Sequence, residues 1–96
     1  MSFRGIVESP QFHEEANAIC ADVKRMDSAL FAVTWALSRH PEHFEKVPGT
    51  KNLCRVLTDP FPDMPSLRIW YTFGEKEVTL LSIELAEEGE TDAANA

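Results

Sequence analysis

Four bases cluster in the middle of this 96-residue chain: Lys46, Lys51, Arg55 and Arg68. Arg55 and Arg68 sit in two apolar runs joined by one loop. If those runs pair as strands in the right register, both guanidinium groups reach one face, and Trp70 shares it with Arg68. Two arginines beside an indole can grip phosphates and stack a base. In RNA cleavage such groups would stabilise the charge on the pentavalent phosphate as the 2′-hydroxyl attacks. The competing reading pairs Arg55 and Arg68 with the loop acids Asp59 and Asp63 and leaves Trp70 as a packing residue. On the residues alone the second is favoured, because each acid lies within a few positions of an arginine.

Other chemistries find less support. His40-Pro41-Glu42-His43 offers two imidazoles and a carboxylate, but Pro41 breaks the helical spacing a metal pair uses, so no metal site is expected. His13-Glu14-Glu15 has no second His four residues after the first. His43 could serve as a general base, although a solvated loop histidine is the commoner role. There is no Gly-rich phosphate loop and no Ser nucleophile elbow, and no cofactor is expected. Cys20 and Cys54 form no metal or redox spacing. A bridge between them stays open, with two buried free thiols favoured.

Sixteen acids against nine Lys and Arg give a net charge of −7. Hydrophobic residues at 44% and charged ones at 26% describe a folded domain and exclude a disordered chain. The charge is uneven: residues 46–71 hold two acids and four bases, while residues 84–96 hold five acids and no base. A generally basic nucleic-acid binder is excluded, and a small basic patch is not. The N-terminal residues lack the apolar run of a signal peptide, and no stretch is long enough to span a bilayer. With two unladdered cysteines this points to a cytoplasmic protein with no membrane contact.

These residues must be positioned by the elements around them. Phe3 to Glu8 reads as a strand. Ser9-Pro10 opens a helix whose apolar face runs through Phe12, Ala16, Ile19, Cys20 and Val23. Lys24-Arg25 lies near a break. A second helix is expected from an Asp27 cap, with Leu30, Val33 and Leu37 on one stripe and Phe31 and Trp35 on another, which predicts burial over much of its girth. Pro41 stops it. Val47-Pro48-Gly49-Thr50 is a turn, and strands follow at Leu53–Thr58, Ser66–Phe73 and Val78–Leu85, the last two joined by a turn at Gly74–Glu77. Asp59–Pro65 holds three prolines and cannot be a central strand. The expected fold is α+β in the order β-α-α-β-β-β, a helical hairpin on one face of a mostly antiparallel four-stranded sheet. Residues 1–85 make one domain and residues 86–96 an acidic tail expected to be disordered.

Helices can cover one sheet face, while the last strand reads as apolar on both, with Val78 and Leu80 opposite Leu81, Ile83 and Leu85. Leu53, Leu57 and Trp70 therefore need a second cover. It is either the chain's own loop, folding Phe61 and Met64 back, or a partner, either another copy or a separate segment.

In element order and local pattern, residues 3–85 resemble the RelE/ParE toxin superfamily of bacterial type II toxin–antitoxin systems. Leu37-Ser38-Arg39-His40-Pro41 resembles the close of that family's second helix, and Val47-Pro48-Gly49 the loop before its second strand. Leu53-Cys54-Arg55-Val56-Leu57 is similar to its basic second strand, Leu67-Arg68-Ile69-Trp70-Tyr71 to its central strand, and Val78-Thr79-Leu80-Leu81-Ser82-Ile83 to its closing strand. The resemblance implies a RelE/ParE-like fold and a toxin, neutralised by a cognate antitoxin, that would act by translation-dependent cleavage of mRNA on the ribosome. Arg68 and Arg55 would then stabilise phosphate charge, and Lys51, Lys46 and Trp70 would contact RNA. Leu53, Leu57 and Trp70 would meet the partner. Tyr71 resembles the family's strand Tyr, but the pleat places it with Ile69 and Phe73 on the face opposite Arg68, Trp70 and Thr72, so it is expected to pack in the core. The chain departs from the nucleases after the last strand, where Glu84–Glu90 contains no Arg, Lys, His or Tyr. The resemblance thus implies a divergent member with a degenerate catalytic set. The alternative is a non-enzymatic binding module, either a ParE-type toxin directed at DNA gyrase or an interaction protein that closes its apolar face as a homodimer.

Overall fold

The computed structural model describes residues 3–50, 52–58 and 65–86. Residues 1–2, Lys51, residues 59–64 and residues 87–96 lie outside the described residues, and with them the expectations placed on Lys51, Phe61, Met64, Asp59, Asp63 and the acidic tail. Along the chain run β1 (Gly5–Glu8), α1 (Pro10–Ile19), α2 (Val23–Arg39), a 3₁₀ turn (Pro41–His43), β2 (Glu45–Lys46), β3 (Cys54–Leu57), β4 (Leu67–Phe73) and β5 (Glu77–Leu85). The class is α+β. The sheet has five strands in the order β1-β5-β4-β3-β2, and it is mixed, because β1 runs parallel to β5 while the other neighbours are antiparallel. The fifth strand is the two-residue β2, in which Glu45 and Lys46 pair with Arg55 and Cys54. Two residues are too few to display a period of two, so nothing in the pattern announces it.

Local chemistry sets the helices. Ser9 caps α1, its Oγ accepting the Phe12 amide at 3.1 Å, and Pro10 takes the first turn, where no N–H is required. α2 starts earlier than expected. Its cap is Asp22, whose carboxylate accepts the Arg25 amide at 3.2 Å, so Lys24 and Arg25 lie in its first turn and Asp27 is an exposed helical residue. The reason is the apolar stripe, which extends back from Leu30 to Met26 and needs helix beneath it. Val23, expected on the face of α1, instead opens α2 and is 67% exposed.

α2 is also less buried than its two stripes predict. Met26, Leu30, Val33 and Leu37 enter the core, whereas Phe31 and Trp35 are 69% and 52% exposed. The aromatic stripe finds a cation in place of a core. The Arg39 guanidinium lies 3.7 Å from the Trp35 ring centre and 4.1 Å from that of Phe3.

The core forms between the helices and one sheet face. Phe12 and Ala16 of α1 and the α2 stripe meet Cys54, Val56, Leu67, Ile69, Tyr71, Val78, Leu80 and Ile83. The inward group on β5 corrects the expected alternation. Trp70 pairs with Ser82 and Tyr71 with Leu80, so Leu81 is an extra residue in β5. This bulge resets the period, and Ile83 joins Val78 and Leu80 in the core. Leu81 is half-buried and Leu85 is exposed, so β5 is less apolar on its second side than the uninterrupted pattern implies.

α1 also guards the edge that β1 leaves open. β1 pairs with β5 only as far as Glu8 with Leu80. Beyond that point Ser9 Oγ donates to the Leu81 carbonyl at 3.0 Å, and the Glu15 carboxylate accepts the Ser82 hydroxyl at 2.8 Å and the Ile83 amide at 3.1 Å. The edge groups are satisfied by side chains where a strand stops. Both cysteines are free, Cys54 buried and Cys20 half-buried. Among the described residues no helix is long and apolar enough to cross a membrane.

Candidate functional site on the outer sheet face

β3 and β4 pair antiparallel, with Arg55 opposite Trp70 and Leu57 opposite Arg68. Their neighbours Cys54, Val56, Ile69 and Tyr71 point into the core, so Arg55, Leu57, Arg68 and Trp70 share the outer face. The structure brings together both arginines and the indole. Leu53 and Leu57 are half-buried, with Leu53 just outside β3.

Among the described residues the arginines form ion pairs with Glu45 and Glu84. Glu45 of β2 sits opposite Arg55 in the register and forms an ion pair with it. Glu84 of β5 sits opposite Arg68 and pairs with it in the same way, and its Oε1 also accepts the Trp70 indole N–H at 3.3 Å. Each outer cation is thus matched by a carboxylate on the adjacent strand, and the Trp70 ring is held by the carboxylate that holds Arg68. Glu45, Val47, Pro48, Arg55 and Trp70 line a groove of about 410 Å³, including open solvent, above this face.

Lys46 falls differently. It pairs with Cys54, whose side chain enters the core, so it starts from the helix side of the sheet edge and is exposed there. Tyr71 is fully buried, and its hydroxyl donates to the Pro41 carbonyl at 2.5 Å. An anion on this face would share each guanidinium with a carboxylate already paired to it. It can present a flat surface of aromatic, aliphatic and paired charged groups without rearrangement.

On the opposite side of the molecule a second groove, of about 430 Å³ including open solvent, lies between α1 and α2 over Phe12, Ala16, Met26 and Leu30. On its rim the His13 Nδ1 lies 2.8 Å from a Glu8 carboxylate oxygen. Among the described residues His40, Glu42 and His43 form a group whose ligating atoms all lie within 4.8 Å of one another.

Sequence reasoning missed Glu45 and Glu84. Only register names them, since Glu45 is 10 residues from Arg55 and Glu84 is 16 from Arg68. No protein-family model matches the chain, and no curated protein matches it.

Proposed function

We propose that the protein is a binding module that works through the outer face of its sheet, as the toxin component of a RelE/ParE-type pair with an antitoxin. The observation that carries this reading is the composition of that face: Trp70 with Arg55 and Arg68, each arginine paired to a glutamate, flanked by half-buried Leu53 and Leu57. Tryptophan and arginine anchors among aliphatic neighbours are what protein interfaces concentrate. The ion pairs favour recognition over phosphodiester cleavage, because each guanidinium charge is already matched by a carboxylate that would repel a scissile phosphate. A gyrase-directed action fits this binding mode.

The second reading is translation-dependent mRNA cleavage. It is supported by Arg55 directly opposite Trp70 with Arg68 two pairs along, the next pair on that face, an arrangement that can meet a phosphate and a base together. The two readings separate on Glu84. Under cleavage, Glu84→Gln frees Arg68 and raises activity; under binding, it loosens Arg68 and Trp70 and weakens the partner.

Expression of the chain alone in a bacterial host is expected to arrest growth, and co-expression of its antitoxin to relieve the arrest. Trp70→Ala should abolish the arrest, with a loss of target affinity of about 2 kcal/mol or more. Arrest with ribosome-associated mRNA cleavage that disappears in Arg68→Ala would establish the second reading, and DNA damage without mRNA cleavage would point to gyrase. Normal growth with soluble, folded protein would overturn the toxin assignment.

A further inference from the structure

We propose that His40, Glu42 and His43 form a surface site for a divalent transition-metal ion of the zinc class. The argument begins at Pro41. Proline lacks an N–H and its ring clashes with the carbonyl four residues back, so α2 ends at Arg39 and His40 leaves helical geometry at φ −138°, ψ 59°. The same residue suits the first position of a new turn, and a 3₁₀ turn follows at Pro41–His43. Three residues make one turn in that geometry, so side chains at i and i+3 lie one above the other. The His40 and His43 rings accordingly stack, with centroids 4.8 Å apart and planes 12° from parallel. The proline that destroys the α-helical metal spacing creates another spacing that serves.

Glu42 supplies the third donor, its Oε1 4.0 Å from His40 Nδ1. The backbone that carries the three side chains is held at several points. The His40 amide donates to the Ala36 carbonyl at 2.8 Å, the His43 amide to the His40 carbonyl at 3.1 Å, and the buried Pro41 accepts the Tyr71 hydroxyl. Phe44 packs against the core just beyond. Only side-chain torsions have to change on binding, and all three side chains are exposed and free to rotate.

Two imidazole nitrogens with one carboxylate oxygen and no thiolate suit zinc and its neighbours nickel and copper, and not the all-oxygen preference of calcium or magnesium. Bonds of roughly 2.0–2.2 Å require donors about 3–3.5 Å apart in a tetrahedral site. To close the present spread of up to 4.8 Å the two rings turn out of their stack, which lets their in-plane lone pairs converge on one ion. Three protein ligands leave one position for water. The turn lies on the helix side of the sheet, where Tyr71 reaches it, so the site does not depend on the function proposed for the outer face.

The test uses the full chain without a polyhistidine tag, freed of metal with a chelator and titrated with zinc chloride by calorimetry. One ion per chain is expected, with micromolar affinity. His40→Ala and His43→Ala should each weaken binding roughly tenfold or more, and Glu42→Gln less. His13→Ala and Cys20→Ser should leave it unchanged. Zinc should raise the melting temperature of the native chain and not that of His43→Ala. In NMR spectra the imidazole signals of His40 and His43 should move with zinc and those of His13 should not. Absence of saturable binding, or binding that His43→Ala leaves intact, would overturn the proposal.

Discussion

Tyr71 ties the core to the chain reversal after α2. Its ring is fully buried among strand residues, and its hydroxyl ends on a carbonyl whose residue, Pro41, is itself buried. Tyr71→Phe keeps the ring and leaves that carbonyl without this donor, which costs about 1–3 kcal/mol. The urea midpoint of the variant should fall accordingly; an unchanged midpoint would mean water replaces the hydroxyl. The sequence identified Tyr71 as a core residue from the strand pleat alone, because burial follows from a period of two. It did not reveal the Pro41 bond, which spans 30 residues, nor the glutamates on Arg55 and Arg68. Asp59 and Asp63, the partners nearest in sequence, lie outside the described residues, and among the described residues cross-strand register decides the pairs.

Among the elements, α1 and β5 depend on each other through Glu15. The Ser82 hydroxyl, followed by the Ile83 amide, holds its carboxyl below its ordinary value of 4.5, against the opposing effect of partial burial. A carboxyl lowered on folding stabilises the fold above its unfolded pKa, and that contribution is lost as pH falls through the folded value. Glu15→Gln should therefore lower stability by about 1 kcal/mol at pH 7. The difference from the parent should shrink below about pH 4.5, where the parent protonates. Denaturation at several pH values checks this, and a difference that stays constant with pH would count against the latch. Helices and long strands were legible because their chemistry is local: a Ser-Pro start, a proline stop, an alternating run. The Asp22 cap, the two-residue β2 and the Leu81 bulge were not. The choice between Asp22 and Asp27 is made by packing of Met26, and a bulge is invisible until the partner strand is in register.

At the scale of the whole molecule, Cys54 reports on cooperative opening. It is 4% exposed, and burial pushes its thiol above the ordinary value. Cys20, at the end of α1, is half-buried. A thiol reagent added to the native protein should label Cys20 first, with Cys54 slower by about a hundredfold or more because it waits for the sheet to open. Denaturant should bring the two rates together. Equal rates in the native state would mean that β3 frays independently of the core.

The parallel pairing of β1 with β5 has a consequence for synthesis. β1 is made first, and its strand partner, Glu77–Leu80, is made after both helices and three other strands. A nascent chain emerging from the ribosome can form α1 and α2 early, but it must hold Gly5–Glu8 unpaired until residue 80 clears the exit tunnel. A pause in translation before β5 would leave the helices without the strand that joins β1 to the sheet. Maturation of this protein is therefore gated by the last stretch of its domain, however quickly the rest folds.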